Sequence, residues 1–194
     1  IRNHAEAVIG KHELNNLSNM IGYNFRMGEI EAAIGIEQLK KLETLIQKRS
    51  KAAGSLSKGL ENLNGLQPPI IRNNCSHVYY IYPIILDLKY LNIKREKIFN
   101  ALVAEGIPGL RQGYTNLHLL PMYQQKQAYG SNNFPWSLSE NIINYSKGIC
   151  PNAEKLQDNT FLGIEMCLND YSEKDIQLII KAFKKVWKNI DELK

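Results

Sequence analysis

The chain has 194 residues, 44% hydrophobic and 22% charged, with a formal net charge of +5. That length suits one domain or one and a fraction, and the balance excludes a disordered chain and a collagen-like repeat. No run of about 18 apolar residues occurs, so no spanning helix is expected.

The N-terminus, IRNHAEAVIGKHE, has no apolar signal-peptide core and reads as the middle of something longer. Residues 1 to 25 are polar and Asn-rich, which suggests a long surface segment. A long amphipathic helix is expected from Arg26 to Asn64. Leu39, Leu42, Ile46, Ala53, Leu56, Leu60 and Leu63 recur in steps of three and four, with Arg49 in the odd slot. Gly54 and Gly59 predict a bend or break, and Gly65 with Pro68-Pro69 ends the helix. His77 to Leu86 is β-branched and aromatic, hence a strand. Lys94 to Gly106 reads as a helix and Ile107 to Leu110 as a short strand. Residues 111 to 134 read as a loop. Pro135 to Lys147 suits a helix with proline in its first turn. Thr160 to Cys167 reads as a short strand. A closing helix, Ser172 to Leu193, opens on a near capping box with Asp175. Its buried face is expected to be Ile176, Ile179, Ile180, Phe183, Val186, Trp187 and Ile190. Strands alternating with helices make residues 66–194 a small α/β domain.

Basic residues lie beside acids: Arg26 to Asn64 carries seven of the first and five of the second. That is a solvated helix surface rather than a nucleic-acid face. The odd cysteines Cys75, Cys150 and Cys167 form no CxxC pair, so buried thiols in a reducing cytoplasm are expected. There is no Walker loop, GxGxxG, GxSxG or HExxH. His4, His12, His77 and His118 lack the spacing of helical metal ligands, and no metal is predicted. Asn24 and Arg26 stand just before the long helix. There they can offer an amide and a guanidinium to a phosphate, helped by helix-end N–H groups, or serve only as a cap and a surface arginine. Ala32, Ala33 and Gly35 form a small-residue patch. Tyr114, His118, Pro121 and Tyr123 crowd one loop, which suits either ligand contact or local packing.

The run GYNFRMGEIEAAIGIEQLKKLE resembles the signature of the DegT/DnrJ/StrS sugar aminotransferases. RNHAE (2–6), GIPG (106–109) with YTNLHLLPMY, and CPNAEKL (150–156) agree in order and spacing, with Ala5 where glycine is usual. The resemblance implies the C-terminal part of a pyridoxal-phosphate transferase fold. Residues 1–65 would hold the end of the large domain, an interface segment and the connecting helix; residues 66–194 would be the small domain. It implies pyridoxal 5'-phosphate as cofactor and a homodimer with shared active sites. In the family the asparagine of the NxR motif contacts the cofactor phosphate of the neighbouring subunit, and Asn24 matches it, with Arg26 nearby. Tyr114 and His118 match a loop bordering the sugar-nucleotide cleft. The Schiff-base lysine would lie shortly before Ile1, outside this chain; Lys11 is the nearest lysine and has no matching context. The expected reaction moves an amino group, from glutamate, to a nucleotide-linked keto-sugar. The rival reading is a non-catalytic dimerisation or scaffold domain. No nucleic-acid or membrane partner is expected.

Overall fold

A computed structural model describes residues 23–130, 132–141 and 143–194. The RNHAE segment, Lys11, His4, His12 and most of the expected surface segment lie outside the described residues. The chain divides into two compact units, residues 1–46 and residues 47–194. Helix α1, Glu29–Leu60, runs through that boundary without a break. Gly54 and Gly59, where a bend or break was expected, both lie inside this continuous helix.

In the first unit, Glu29 and Glu31 occupy the first turn of α1, where the helix end carries partial positive charge. The apolar stripe is present as a helical face, but its side chains here meet solvent. Leu39 is 68% exposed and Leu42 47%.

The second unit is built on a four-stranded antiparallel sheet of order β1-β2-β4-β3. Its strands are β1 (Leu66–Gln67), β2 (Tyr82–Leu86), β3 (Leu110–Gln112) and β4 (Phe161–Ile164). Period-2 alternation turns Tyr82, Ile84 and Leu86 inward. They join Ala53, Leu56 and Leu60 of α1 in one core. The short helix α2 (Leu88–Leu91) and α3 (Arg95–Ala104) follow β2, and α3 adds Ile98 and Leu102. The closing helix α6, Glu173–Lys188, adds Ile176, Ile179, Ile180, Phe183 and Val186. Trp187 and Ile190 of the expected face are only partly buried. Two small helices, α4 (Pro121–Gln125) and α5 (Pro151–Lys155), lie between β3 and β4.

Gly59 shows why a glycine sits in α1. A Cβ there would stand 2.4 Å from Cδ1 of Ile180. The residue allows α1 and α6 to approach closely, and the backbone stays helical. Buried Tyr82 is satisfied through Ser57, whose Oγ lies 2.8 Å from the phenol oxygen. Burial, before any other influence, pushes that phenol up to about 12.

Several expectations need correction. The strand expected from His77 starts only at Tyr82, because Tyr79 turns left-handed at φ +50° and interrupts the extended run. The strand expected over Ile107 to Leu110 begins at Leu110. The loop 111–134 contains α4. The helix expected over Pro135 to Lys147 is one 3₁₀ turn, Trp136–Leu138, followed by irregular chain. Cys75 and Cys150 are exposed rather than buried, and Cys167 is half-buried. Each exposed thiol sits in a turn or cap, Cys75 beside the left-handed Asn74 and Cys150 at the start of α5. Among the described residues no helix is long and apolar enough to cross a membrane.

The cap of α6 is a complete capping box. Ser172 Oγ accepts the Asp175 N–H at 3.2 Å, and Asp175 Oδ2 accepts the Ser172 N–H at 2.9 Å. Ser172→Ala should therefore cost about 0.5–2 kcal/mol. A urea melt should show a lower midpoint with an unchanged slope; an unmoved midpoint would mean the cap carries no stability.

Candidate functional site

Asn24 and Arg26 sit together in the extended segment before α1. Asn24 Oδ1 accepts from the Arg26 backbone N–H at 3.2 Å and from its Nε at 3.0 Å. This bond uses the acceptor end of the amide. Nδ2 of Asn24 and the two terminal nitrogens of Arg26 remain as donors, an acceptor-free set suited to a phosphate. Tyr23 and Phe25 alternate with them, their rings 5.5 Å apart. The helix end contributes less than expected, since Glu29 and Glu31 already oppose its dipole.

Tyr114 and His118 belong to the second unit, on the segment after β3. Gly113 opens it at φ +77°, and a Cβ there would stand 2.7 Å from the Gln157 carbonyl oxygen. Only glycine combines that backbone with that approach. Tyr114 donates its backbone N–H to Gln157 Oε1. Its ring is 69% exposed. Arg95 anchors the opposite side. Its Nη1 donates to the carbonyls of Gln157 at 2.8 Å, Phe161 at 3.2 Å and Leu156 at 3.3 Å. Leu156 and Gln157 belong to a π-helical turn, Leu156–Thr160, and Phe161 opens β4, so one guanidinium ties the turn to the strand.

His118 does not stand free. It lies in a 3₁₀ turn, Leu117–Leu119, and its Nε2 is 2.9 Å from Glu154 Oε1. The two side chains are 10% and 8% exposed. Glu154 also accepts the Gly148 N–H on both oxygens at 2.8 Å and the Cys150 N–H at 3.3 Å. The Gly148 N–H above all, then those of Cys150 and His118, hold its carboxyl below the usual range against the opposing effect of burial. Gln124 closes the loop by donating to the carbonyls of His118 at 2.6 Å and Tyr145 at 2.7 Å. Behind it Trp136 Nε1 donates to the Tyr145 hydroxyl at 2.9 Å. Tyr123 packs at 5.2 Å from the Tyr145 ring and edge-on at 6.0 Å from Trp136. Asn116 Nδ2, in the same loop, is buried with no partner among the described residues.

The sequence singled out His118 but not the residues that fix it. Glu154 stands inside CPNAEKL, and Gln124 just past YTNLHLLPMY. Their contacts link positions 36 and 21 residues apart, which no local pattern announces.

The depressed Glu154 carboxyl gives the loop a pH dependence. Its contribution is complete above the ordinary value of 4.5 and is lost as pH falls through the lower folded value. The step in the amide signals of Gly148 and Cys150 that accompanies protonation of the Glu154 carboxyl, read from the carboxyl carbon shift, should fall below 4.5. A carboxyl step centred at or above that value would contradict the network.

The model of the DegT/DnrJ/EryC1/StrS aminotransferase family matches residues 1–156, which include Asn24, Arg26, Tyr114, His118 and Glu154. An uncharacterized protein of Methanocaldococcus jannaschii is 35% identical over 168 residues, covering 85% of this chain and 38% of that protein. The UDP-4-amino-4,6-dideoxy-N-acetyl-β-L-altrosamine transaminase of Helicobacter pylori is 33% identical over 106 residues, covering 54% of this chain and 26% of that enzyme. The X-ray structure of the aminotransferase from Psychrobacter cryohalolentis superposes with a TM-score of 0.65 at 22% identity, covering 98% of this chain and 48% of that one. The chain thus spans less than half the length of the proteins it matches. The superposition bears out the expected α/β fold, shared with about half of that aminotransferase.

Proposed function

The chain belongs to the DegT/DnrJ/EryC1/StrS aminotransferase family, and we propose that it is the C-terminal portion of an enzyme transferring an amino group from glutamate to a nucleotide-linked keto-sugar. The observation that carries this reading is the family match over residues 1–156, with Asn24 and Arg26 arranged as a donor set. The Helicobacter relative, a transaminase of a UDP-linked amino sugar, supports the substrate class.

Pyridoxal phosphate, when bound, supplies the electron sink that amino transfer requires. Asn24 and Arg26 would hold its phosphate, Asn24 by hydrogen bonding and Arg26 by charge. The Tyr114 ring would border the nucleotide-sugar cleft with the His118 loop, and Glu154 and Gln124 would keep that loop in place. Residues 1–65 would bring the end of the large domain and the connecting helix, and residues 66–194 the small domain. The complete enzyme would be a cytoplasmic homodimer with shared active sites. Met27, Ile30 and Ile34 are exposed apolar side chains that such a partner would cover.

No lysine of this chain is assigned as the one that bonds the cofactor. Incubated with pyridoxal phosphate and reduced with borohydride, the chain alone should yield no stoichiometric adduct on any one lysine. Peptide mapping by mass spectrometry decides it, and a single modified lysine would overturn this part of the reading. The reading frame upstream of Ile1 tests the whole. A lysine in a Ser/Phe/His-rich stretch shortly before Ile1 supports the enzyme; a start codon there supports a non-catalytic domain.

A further inference from the structure

We propose that Glu154 is a positioning residue: it decides which ring nitrogen of His118 carries the proton, keeping the proton on Nε2 and leaving Nδ1 as a hydrogen-bond acceptor. Glu154 is buried, and apart from His118 its carboxylate meets only the backbone N–H groups of Gly148 and Cys150. A backbone N–H cannot accept, so the carboxylate has every reason to remain an acceptor. The fourth contact, His118 Nε2 at 2.9 Å, must then be made by an N–H of the imidazole. In a neutral ring the bond made by one nitrogen determines the state of the other. Nδ1 has no hydrogen-bond partner among the described residues. It is left with a lone pair that suits an O–H donor, and a sugar hydroxyl is such a donor.

Glu154 also ties two stretches of chain to α5, the 3₁₀ turn that carries His118 and the turn at Gly148. It therefore sets both the place and the proton state of the imidazole without itself touching a ligand. What Nδ1 serves rests on the sugar-cleft reading of this loop; the placement of the proton does not.

The test is long-range nitrogen–proton NMR of the full chain labelled with ¹⁵N-histidine, taken to the alkaline end of a pH titration. Wild type should show His118 as the Nε2–H tautomer. In Glu154→Gln the carboxamide oxygen is taken by the Gly148 and Cys150 N–H groups, so its NH₂ turns to His118 and needs an acceptor. The tautomer ratio should invert towards Nδ1–H. Glu154→Asp keeps an acceptor-only group and should restore Nε2–H. An Nδ1–H tautomer in wild type, or an unchanged ratio in a folded Glu154→Gln, would overturn the proposal. Should Glu154→Gln not fold, the wild-type and Glu154→Asp spectra decide it alone. A tautomer that behaves as expected in an enzyme that does not act on nucleotide sugars would support the device and overturn the sugar reading.

Discussion

Phe183→Ala should cost about 3–5 kcal/mol of unfolding free energy, the range for a buried aromatic cut back to a methyl group. Phe183 lies at the centre of the α6 face and is 0% exposed. Its ring stands 6.0 Å from that of Trp187, whose Nε1 donates to the Asn64 carbonyl at 2.9 Å. Truncation removes apolar area from the core and leaves a cavity that the sheet and two other helices cannot fill, since β2 and β4 are held in register from both sides. Domains of this size have about 5–15 kcal/mol in hand, so the loss takes a large share of the total. The denaturant midpoint should fall steeply with its slope retained. Phe183→Leu keeps most of the volume and should cost clearly less. A loss under about 1 kcal/mol for alanine would mean the position behaves as a surface site, contradicting its burial.

Phe183 also marks where the fold was legible in the sequence. The α6 stripe repeats at helical period and is capped at both the chemical and the geometric level, so pattern and structure agree. The stripe of α1 repeats as well, and α1 is a helix, yet Leu39 and Leu42 remain exposed while Leu56 and Leu60 are in the core. Periodicity shows which side chains share a face; it does not show what covers that face. The segment after Pro135 failed for a local reason. Ser139 Oγ accepts the Asn141 N–H and Asn144 Oδ1 accepts the Ser146 N–H, so short polar side chains satisfy the backbone outside a helix. At Tyr79 the strand was cut by a left-handed backbone, which is rare for an aromatic residue. Its N–H donates to His77 Nδ1 at 2.8 Å, a bond that favours the turn over the extended run.

The candidate site was legible to a different degree in its two halves. Asn24 and Arg26 lie two residues apart, and their pairing is a local matter that sequence spacing can suggest. His118 was legible as a residue type in a loop, but its partner Glu154 lies on another helix. Long-range polar contacts of that kind leave no period and no composition signal.

Asn24→Ala in the complete enzyme should weaken retention of pyridoxal phosphate about ten- to a hundredfold. One hydrogen bond to a charged group contributes about 1.5–3 kcal/mol, and each 1.4 kcal/mol is about tenfold in affinity. Alanine removes the Nδ2 donor and also the Oδ1 acceptor that steadies Arg26 at 3.0 Å. Asn24→Asp separates the two effects. It keeps an oxygen for Arg26 but replaces the donor by a negative charge, so it should bind the phosphate more weakly than alanine does. Equilibrium dialysis of the cofactor reads both. The place of the asparagine is tested by mixed dimers that pair an Asn24→Ala subunit with one lacking the cofactor-bonding lysine. If Asn24 acts across the interface, the subunit that keeps its lysine receives a wild-type asparagine from its partner, and half of the wild-type sites work. If Asn24 acts within its own subunit, each site carries one lesion and the mixed dimer is impaired at both. An Asn24→Asp enzyme that holds cofactor as well as wild type would remove the phosphate from this asparagine altogether, because a negatively charged acceptor cannot replace an amide donor to a phosphate.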